Sequence, residues 1–302
     1  MKRLLITLLL LFSTAYSEEE VFYRAAGPIL PISANTQPKG TLSFQPFLYF
    51  INVKEQSERF PGISSFITQV FLQYGILDFM DFRTSIQTSY ATRQNKKAYE
   101  LMDSMAGFSF QLYKIPNSTS IRLMIYEIFP TGKYQRLTPD KVYVQGIGEG
   151  SFQTGIMLMV SQQFHKRFVM YGNLVYFAYT KVHVNGFNFY GGGFGTNGIV
   201  NPGDVMEGII SGELSISKRV ALTCDFMYFY KLPTGFKGNS GITEDGQKAS
   251  CTMPYKFQIS MCPAVEYSFS DNIGLCGGAW FSLYNRNVFD FMSGVVTLYC
   301  LF

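Results

Sequence analysis

The sequence predicts an all-β chain, a transmembrane antiparallel up-and-down β-barrel of about 12 strands over residues 41–302. Four observations carry this expectation. From Thr41 onward, run after run sets apolar residues at every second position against polar ones, the pattern of strands with one greasy and one polar face. Aromatic residues make up 17% of the chain and charged residues only 15%, where soluble domains carry about 25% charged. Beyond the amino end no stretch reaches the ~18 continuous apolar residues of a membrane helix. A chain that exposes apolar side chains to lipid without helices must pair every backbone group internally, which leaves the closed barrel. Finally, the links between runs alternate short and long, as barrels with short periplasmic turns and longer outer loops do.

Met1–Ser17 reads as a signal peptide: Lys2 and Arg3 open it, Leu4 to Phe12 form its apolar centre, and Ala15-Tyr16-Ser17 supplies a small-x-small cleavage site. Its removal lowers the formal net charge from +4 to +2, so nothing in the mature composition asks for nucleic acid. Residues 18–40 show no period and carry Pro28, Pro31 and Pro38, which predicts an irregular N-terminal segment. Val21, Phe22, Tyr23, Ile29, Leu30 and Ile32 make it too apolar for a solvated tail. Two places remain for it, the periplasm or the lumen, where it would act as a plug.

The strands then follow in order. Thr41–Ile51, Ser65–Tyr74, Phe82–Tyr90, Gly107–Tyr113, Ser120–Phe129 and Ser151–Phe164 each alternate. Phe168–Lys181 is apolar on both faces and its orientation stays open. Val205–Ser217, Val220–Tyr230 and Tyr255–Phe269 resume the alternation, and two further runs carry it to the last residue. Short links fall at 75–81, 114–119, 165–167, 218–219 and 270–272. Long ones fall at 52–64, 91–106, 130–150, 182–204 and 231–254, and the last outer link, near 285–287, is short. This order places both chain ends on the periplasmic side.

The final strand ends with Val296, Leu298, Cys300 and the terminal Phe302 on one apolar stripe. It resembles the C-terminal assembly signal of bacterial outer-membrane β-barrels. The resemblance implies residence in the bacterial cell outer membrane, with outer-membrane lipid and the barrel assembly machinery as partners.

Other motifs lose to blander readings. Gly193-Phe194-Gly195-Thr196-Asn197-Gly198 matches a dinucleotide fingerprint but no helix follows it, so Gly186 to Gly203 reads as a flexible outer loop. His183-Val184-Asn185 lacks the serine of a phospholipase-type barrel, and no G-x-S-x-G elbow occurs, so no enzyme is expected. Cys224, Cys251, Cys262, Cys276 and Cys300 include no CxxC and fit no zinc spacing. They read as packing residues, with Cys262 opposite about position 280 rather than opposite Cys276. Neither a cofactor nor a metal is expected.

The inward parity gives the lumen-lining candidates Arg83, Gln87, Arg122, Tyr126, Glu213, Asp225, Lys256, Glu266 and Trp280. Both charge signs occur, which argues against an ion-selective ring. Phe47, Tyr49, Phe71, Tyr284 and several methionines share the face, which favours small amphipathic or aromatic solutes over sugars. Gly27-Pro28-Ile29-Leu30-Pro31, Phe129-Pro130-Thr131-Gly132, Gly148-Glu149-Gly150-Ser151 and Leu232-Pro233-Thr234-Gly235 look like outer-membrane transporters of the meta-pathway of phenol degradation type. That resemblance implies a barrel linked to uptake of hydrophobic or aromatic compounds. The expected function is passive uptake of such solutes; the alternatives are a closed adhesin-type barrel working through its outer loops, and a barrel enzyme.

Overall fold

The computed structural model describes residues 27–54 and 62–302; the expected signal peptide at 1–17 and the start of the N-terminal segment lie outside the described residues. Sixteen strands form in chain order. They are β1 (Leu42–Val53), β2 (Ile63–Leu77), β3 (Met80–Arg93), β4 (Lys96–Leu101), β5 (Ser104–Lys114), β6 (Thr119–Phe129), β7 (Gln153–His165), β8 (Phe168–Tyr179), β9 (Val182–Asn185), β10 (Asn197–Asn201), β11 (Val205–Ser215), β12 (Val220–Lys231), β13 (Gly235–Asn239), β14 (Lys256–Ser268), β15 (Ile273–Arg286) and β16 (Phe291–Leu301). Thirteen of them make one antiparallel sheet, which closes on itself through β2 and β3. Since β4 only extends the outer end of β3, the ring itself has twelve staves.

The first and last strands meet from Ser43 opposite Leu301 to Val53 opposite Phe291. Beyond them Leu42 and Phe302 exchange both N–H to carbonyl bonds at 2.9 Å. The ring thus has no open edge, as a barrel in lipid requires.

The faces follow the two-residue period. On β3, Ser85 is 3% exposed and Ile86 59% exposed, so the large apolar residue turns outward and the small polar one inward. The outer face is an apolar belt that includes Phe50, Leu174, Ile210 and Phe226. Cross-strand aromatic pairs reinforce it: Phe50 lies opposite Phe66 and Phe82 opposite Phe108, with ring centroids 4.9 and 5.3 Å apart. The undecided strand, β8, points Met170, Leu174 and Tyr176 outward and Val169, Asn173, Val175 and Phe177 inward.

The long outer links differ from plain loops. Residues 91–106 are mostly strand: β4 folds back on β3 through a turn at Gln94 (φ 50°), and a break at Met102 and Asp103 separates it from β5. Residues 182–204 and 231–254 contribute β9, β10 and β13, which pair as a second sheet in the order β13-β10-β9. The run read as a flexible loop, Gly186 to Gly203, therefore contains β10 and is packed. At Gly191 (φ 116°) an added Cβ would sit 2.2 Å from the Ser250 carbonyl oxygen, so the loop needs glycine there for close backbone approach. These strands have four or five residues, too few for a period to show, and they exist because distant loops pair with one another. Residues 130–150 carry a 3-10 turn (Pro139–Lys141) and one short helix, α1 (Val142–Gln145).

One inward assignment fails. Between β14 and β15, Ile259 faces Tyr284 while Ser260 faces Ser282, so one extra residue is inserted at Leu283. The insertion reverses the parity beyond it, and Tyr284, expected in the lumen, is 52% exposed outside. Trp280 precedes the bulge and stays inside.

Candidate functional site: the lumen

Residues 27–40 run inside the ring rather than along a strand. Pro28, Pro31 and Pro38 each lack a donor N–H and cannot join a ladder, so the segment's remaining backbone groups take partners from inward side chains. Starting at the rim where the two chain ends meet, Gly40 N–H donates to the Gly75 carbonyl at 2.8 Å. Gln37 N–H donates to Asp81 Oδ2 at 2.9 Å, and Thr36 N–H to Gln111 Oε1 at 3.0 Å. Arg122 Nη1 donates to the carbonyls of Ser33 and Asn35, both at 3.0 Å. The Asn173 amide, turned with its oxygen toward Ile32, accepts from Ile32 N–H at 2.6 Å. Leu30 N–H donates to Asp225 Oδ2 at 2.9 Å and Gly27 N–H to Glu266 Oε2 at 3.1 Å. The segment thus crosses from the β2 side of the ring past β3, β5, β6 and β8 to β12 and β14.

Two greasy clusters complete the seating. Ala34, with Ile32 beside it, packs with Met124, Tyr126, Met157, Met159, Val175 and Phe177. Ile29 packs with Phe47, Cys262, Cys276 and Val295, with Leu30 and Trp280 at the edge. All five cysteines are free. Glu266 stands opposite Cys276, and the flanking pairs Ser260–Ser282 and Ala264–Gly278 put Cys262 level with position 280.

The inward candidates divide into three groups. Arg122, Asp225 and Glu266 hold the segment directly. Glu213 accepts from the Tyr171 hydroxyl at 2.8 Å, and Tyr126 stacks edge-on with Phe177 at 5.4 Å, so both stiffen the wall. Arg83, Gln87 and Trp280 line the main cavity. Lys256 stands apart from all three, near the outer mouth, with its ammonium 6.0 Å from the Phe189 ring centroid.

Asp81 was missed by sequence reasoning and is central here. It is fully buried, its Oδ1 lies 2.7 Å from Arg122 Nη2, and its Oδ2 accepts from Gln73 as well as Gln37. Reading the strand from Phe82 left it out, although it shares parity with Arg83. Asn173 and Glu207 were missed because β8 was unoriented and because Glu207 sits at the strand's outer end.

Around the segment a cavity of about 840 Å³ remains. Phe47, Tyr49, Phe71 and Trp280 wall one side of it, and Met157, Val175, Ile209 and Met227 the other. Gln45, Gln69, Gln87, Arg83 and Glu207 supply polar groups. Such a chamber suits a compact amphipathic solute, with an apolar body for the aromatic wall and polar atoms for these groups.

At the outer end two of the four motif segments, 129–132 and 148–151, come together, and Lys231, next to a third, joins them. Asp103 accepts from Gly132 N–H at 2.8 Å and from Glu149 N–H at 2.9 Å, while Lys231 pairs with Glu149 and Tyr190 donates to the Glu149 carbonyl at 2.7 Å. Burial, with Glu149 nearby, pushes the Tyr190 phenol well above its ordinary range, so it stays a donor. Among the described residues no cluster of three or more His, Cys, Asp or Glu is placed to hold a metal ion.

No family model matches the sequence, and no curated protein matches it. Among solved structures, the crystal structure of an outer membrane channel from Pseudomonas putida F1 is similar, with TM-score 0.70 and 10% identity over 91% of this chain and 100% of that one. The NanC porin gives TM-score 0.46 at 9% identity over 85% and 98% of the two chains. The Ralstonia pickettii toluene transporter TbuX gives 0.42 at 10% identity over 88% and 90%. The first of these shows a common β-barrel fold; the other two carry no argument.

Proposed function

We propose that this barrel is an outer-membrane channel for passive uptake of small hydrophobic or aromatic solutes, with residues 27–40 acting as a constriction. The observation that carries the reading is the chamber of about 840 Å³ that the ring encloses beside that segment, where aromatic and aliphatic or thioether side chains share the lining with polar groups. A sugar channel would need a continuous ladder of polar donors and acceptors, and Phe47, Phe71 and Trp280 interrupt the polar groups with an apolar wall. A wide ring of twelve staves leaves more space than its own side chains fill. The segment takes part of that space and narrows the path to the periplasm.

A second reading rests on the outer sheet. Phe194 and Ile242, paired through their backbones, are 58% and 53% exposed, and Ile199 is 47% exposed on β10. A barrel working through its outer loops would use such a surface and pass nothing.

Flux separates the two. In reconstituted vesicles, aromatic acids and fatty acids are expected to enter faster than sugars of similar mass. Removing residues 18–38 is expected to raise single-channel conductance clearly. No flux of any solute, together with unchanged conductance after that deletion in a normally folded barrel, would leave the outer-loop reading standing.

A further inference from the structure

We propose that the chamber is a binding site for hydrophobic carboxylates, with Arg83 as the group that recognises the acid. The proposal rests on the channel reading above and narrows it from hydrophobic solutes in general to amphipathic anions.

The chemistry is one of unequal numbers. Arg83 and Arg122 point inward from β3 and β6, and the nearest carboxylate to both is Asp81. Arg122 takes Asp81 Oδ1, while Gln37 and Gln73 take Oδ2, so that carboxylate is fully used. Arg83 is left 6% exposed, with its Nε lacking any hydrogen-bond partner and its guanidinium 4.2 Å from the Phe71 ring centroid. Among the described residues no carboxylate comes within ion-pair distance of it.

A buried guanidinium without an anion is costly, and it is kept where something else supplies the charge. Here it borders the chamber, so a ligand entering from the outer side meets it. Its planar fork matches a carboxylate two bonds at a time. Stacking on Phe71 fixes its plane, and Phe47, Tyr49 and Trp280 offer the aromatic surface beside it for the ligand's apolar body. Glu207, the chamber's one acidic side chain, lies on β11, five strands away round the ring. It would oppose an anion on that wall and so orient the ligand with its acid toward β3.

Trp280 is the only tryptophan of the chain and lines the same chamber, so its emission reports occupancy directly. Purified full-length protein is titrated with 4-phenylbutyrate, 4-phenylbutanol and 4-phenylbutylamine, which share one body and differ in head charge. The carboxylate is expected to bind about tenfold tighter than the alcohol, since a hydrogen bond to a charged group is worth that much, and the amine weakest. Arg83→Gln should bring carboxylate and alcohol to similar affinity, and Arg83→Lys should fall between.

Equal affinity of the three ligands for the wild-type protein overturns the proposal, and so does an unchanged carboxylate preference in Arg83→Gln. The wild-type series stands even if the variant does not fold. Swelling of vesicles in 4-phenylbutanol keeps the two readings apart. Alcohol flux without carboxylate preference sinks this inference and leaves the channel, whereas absence of both binding and flux sinks the channel as well.

Discussion

Arg83 and Arg122 look alike in the sequence: both are arginines at inward positions, on β3 and β6, with β5 between them in the ring. Their surroundings set them apart, because Arg122 makes an ion pair with Asp81 in which the two side chains are 1% and 0% exposed, while Arg83 has only a ring beneath it. Parity tells which face a residue occupies but not which partner it meets across the lumen, and that partner comes from a strand far off in sequence. Removing one member of a buried pair leaves an uncompensated charge, at a cost of ~3–5 kcal/mol. Asp81→Ala is therefore expected to lower stability by about that amount in urea unfolding. Replacing both members, Asp81→Asn with Arg122→Met, removes the stranded charge and should recover much of the loss. It also takes away the donors to Ser33 and Asn35, so the double variant is expected to conduct more than wild type. Wild-type conductance in a well-folded double variant would show that these contacts do not hold the segment.

At the scale of the strand, the period-two signal located the staves because each has at least eleven residues and one face against lipid, except β8, which is apolar on both faces and was found without an orientation. Short strands that pair only with one another escaped it, as β9, β10 and β13 did, and so did the bulge that turns Tyr284 outward. A bulge adds one residue without any change of composition, so nothing in the local pattern announces it. The candidate site was visible to the same degree: parity indicated the inward set, but the seating of residues 27–40 depends on carboxylates from β3, β12 and β14 that only the closed ring brings together. Strand β3 offers a direct test of facing. Ile86 is 59% exposed on the outer belt and its neighbour Gln87 lines the chamber. Ile86→Arg should cost ~2–4 kcal/mol if it lies near the bilayer midplane, while Gln87→Arg should fold nearly as well as wild type. Comparable folded yields for the two variants, read as heat-modifiable bands after refolding into lipid, would place Ile86 outside the membrane.

The whole molecule depends on a contact made at its two ends. Strands β1 and β16 are nearly the full chain apart, and until they pair both present unpaired edges that lipid cannot satisfy. The last residue takes part, since Phe302 exchanges two backbone hydrogen bonds with Leu42, and its ring, 72% exposed, lies free on the outer surface. Val296 and Leu298 precede it on the same outward stripe. A side chain so exposed adds little packing to the barrel, so its value to the folded state is small. Two backbone hydrogen bonds at the rim of the ring are worth about 1–3 kcal/mol together. Deleting Phe302 should therefore reduce refolding into lipid vesicles only modestly. In cells the same deletion should lower folded barrel in the outer membrane much more, because the assembly machinery would lose the terminal aromatic it is expected to recognise. Phe302→Tyr keeps the aromatic ring and the backbone bonds and should behave as wild type in both settings. Equal deficits in vesicles and in cells would assign Phe302 to closure alone, and no deficit in either would remove it from assembly altogether.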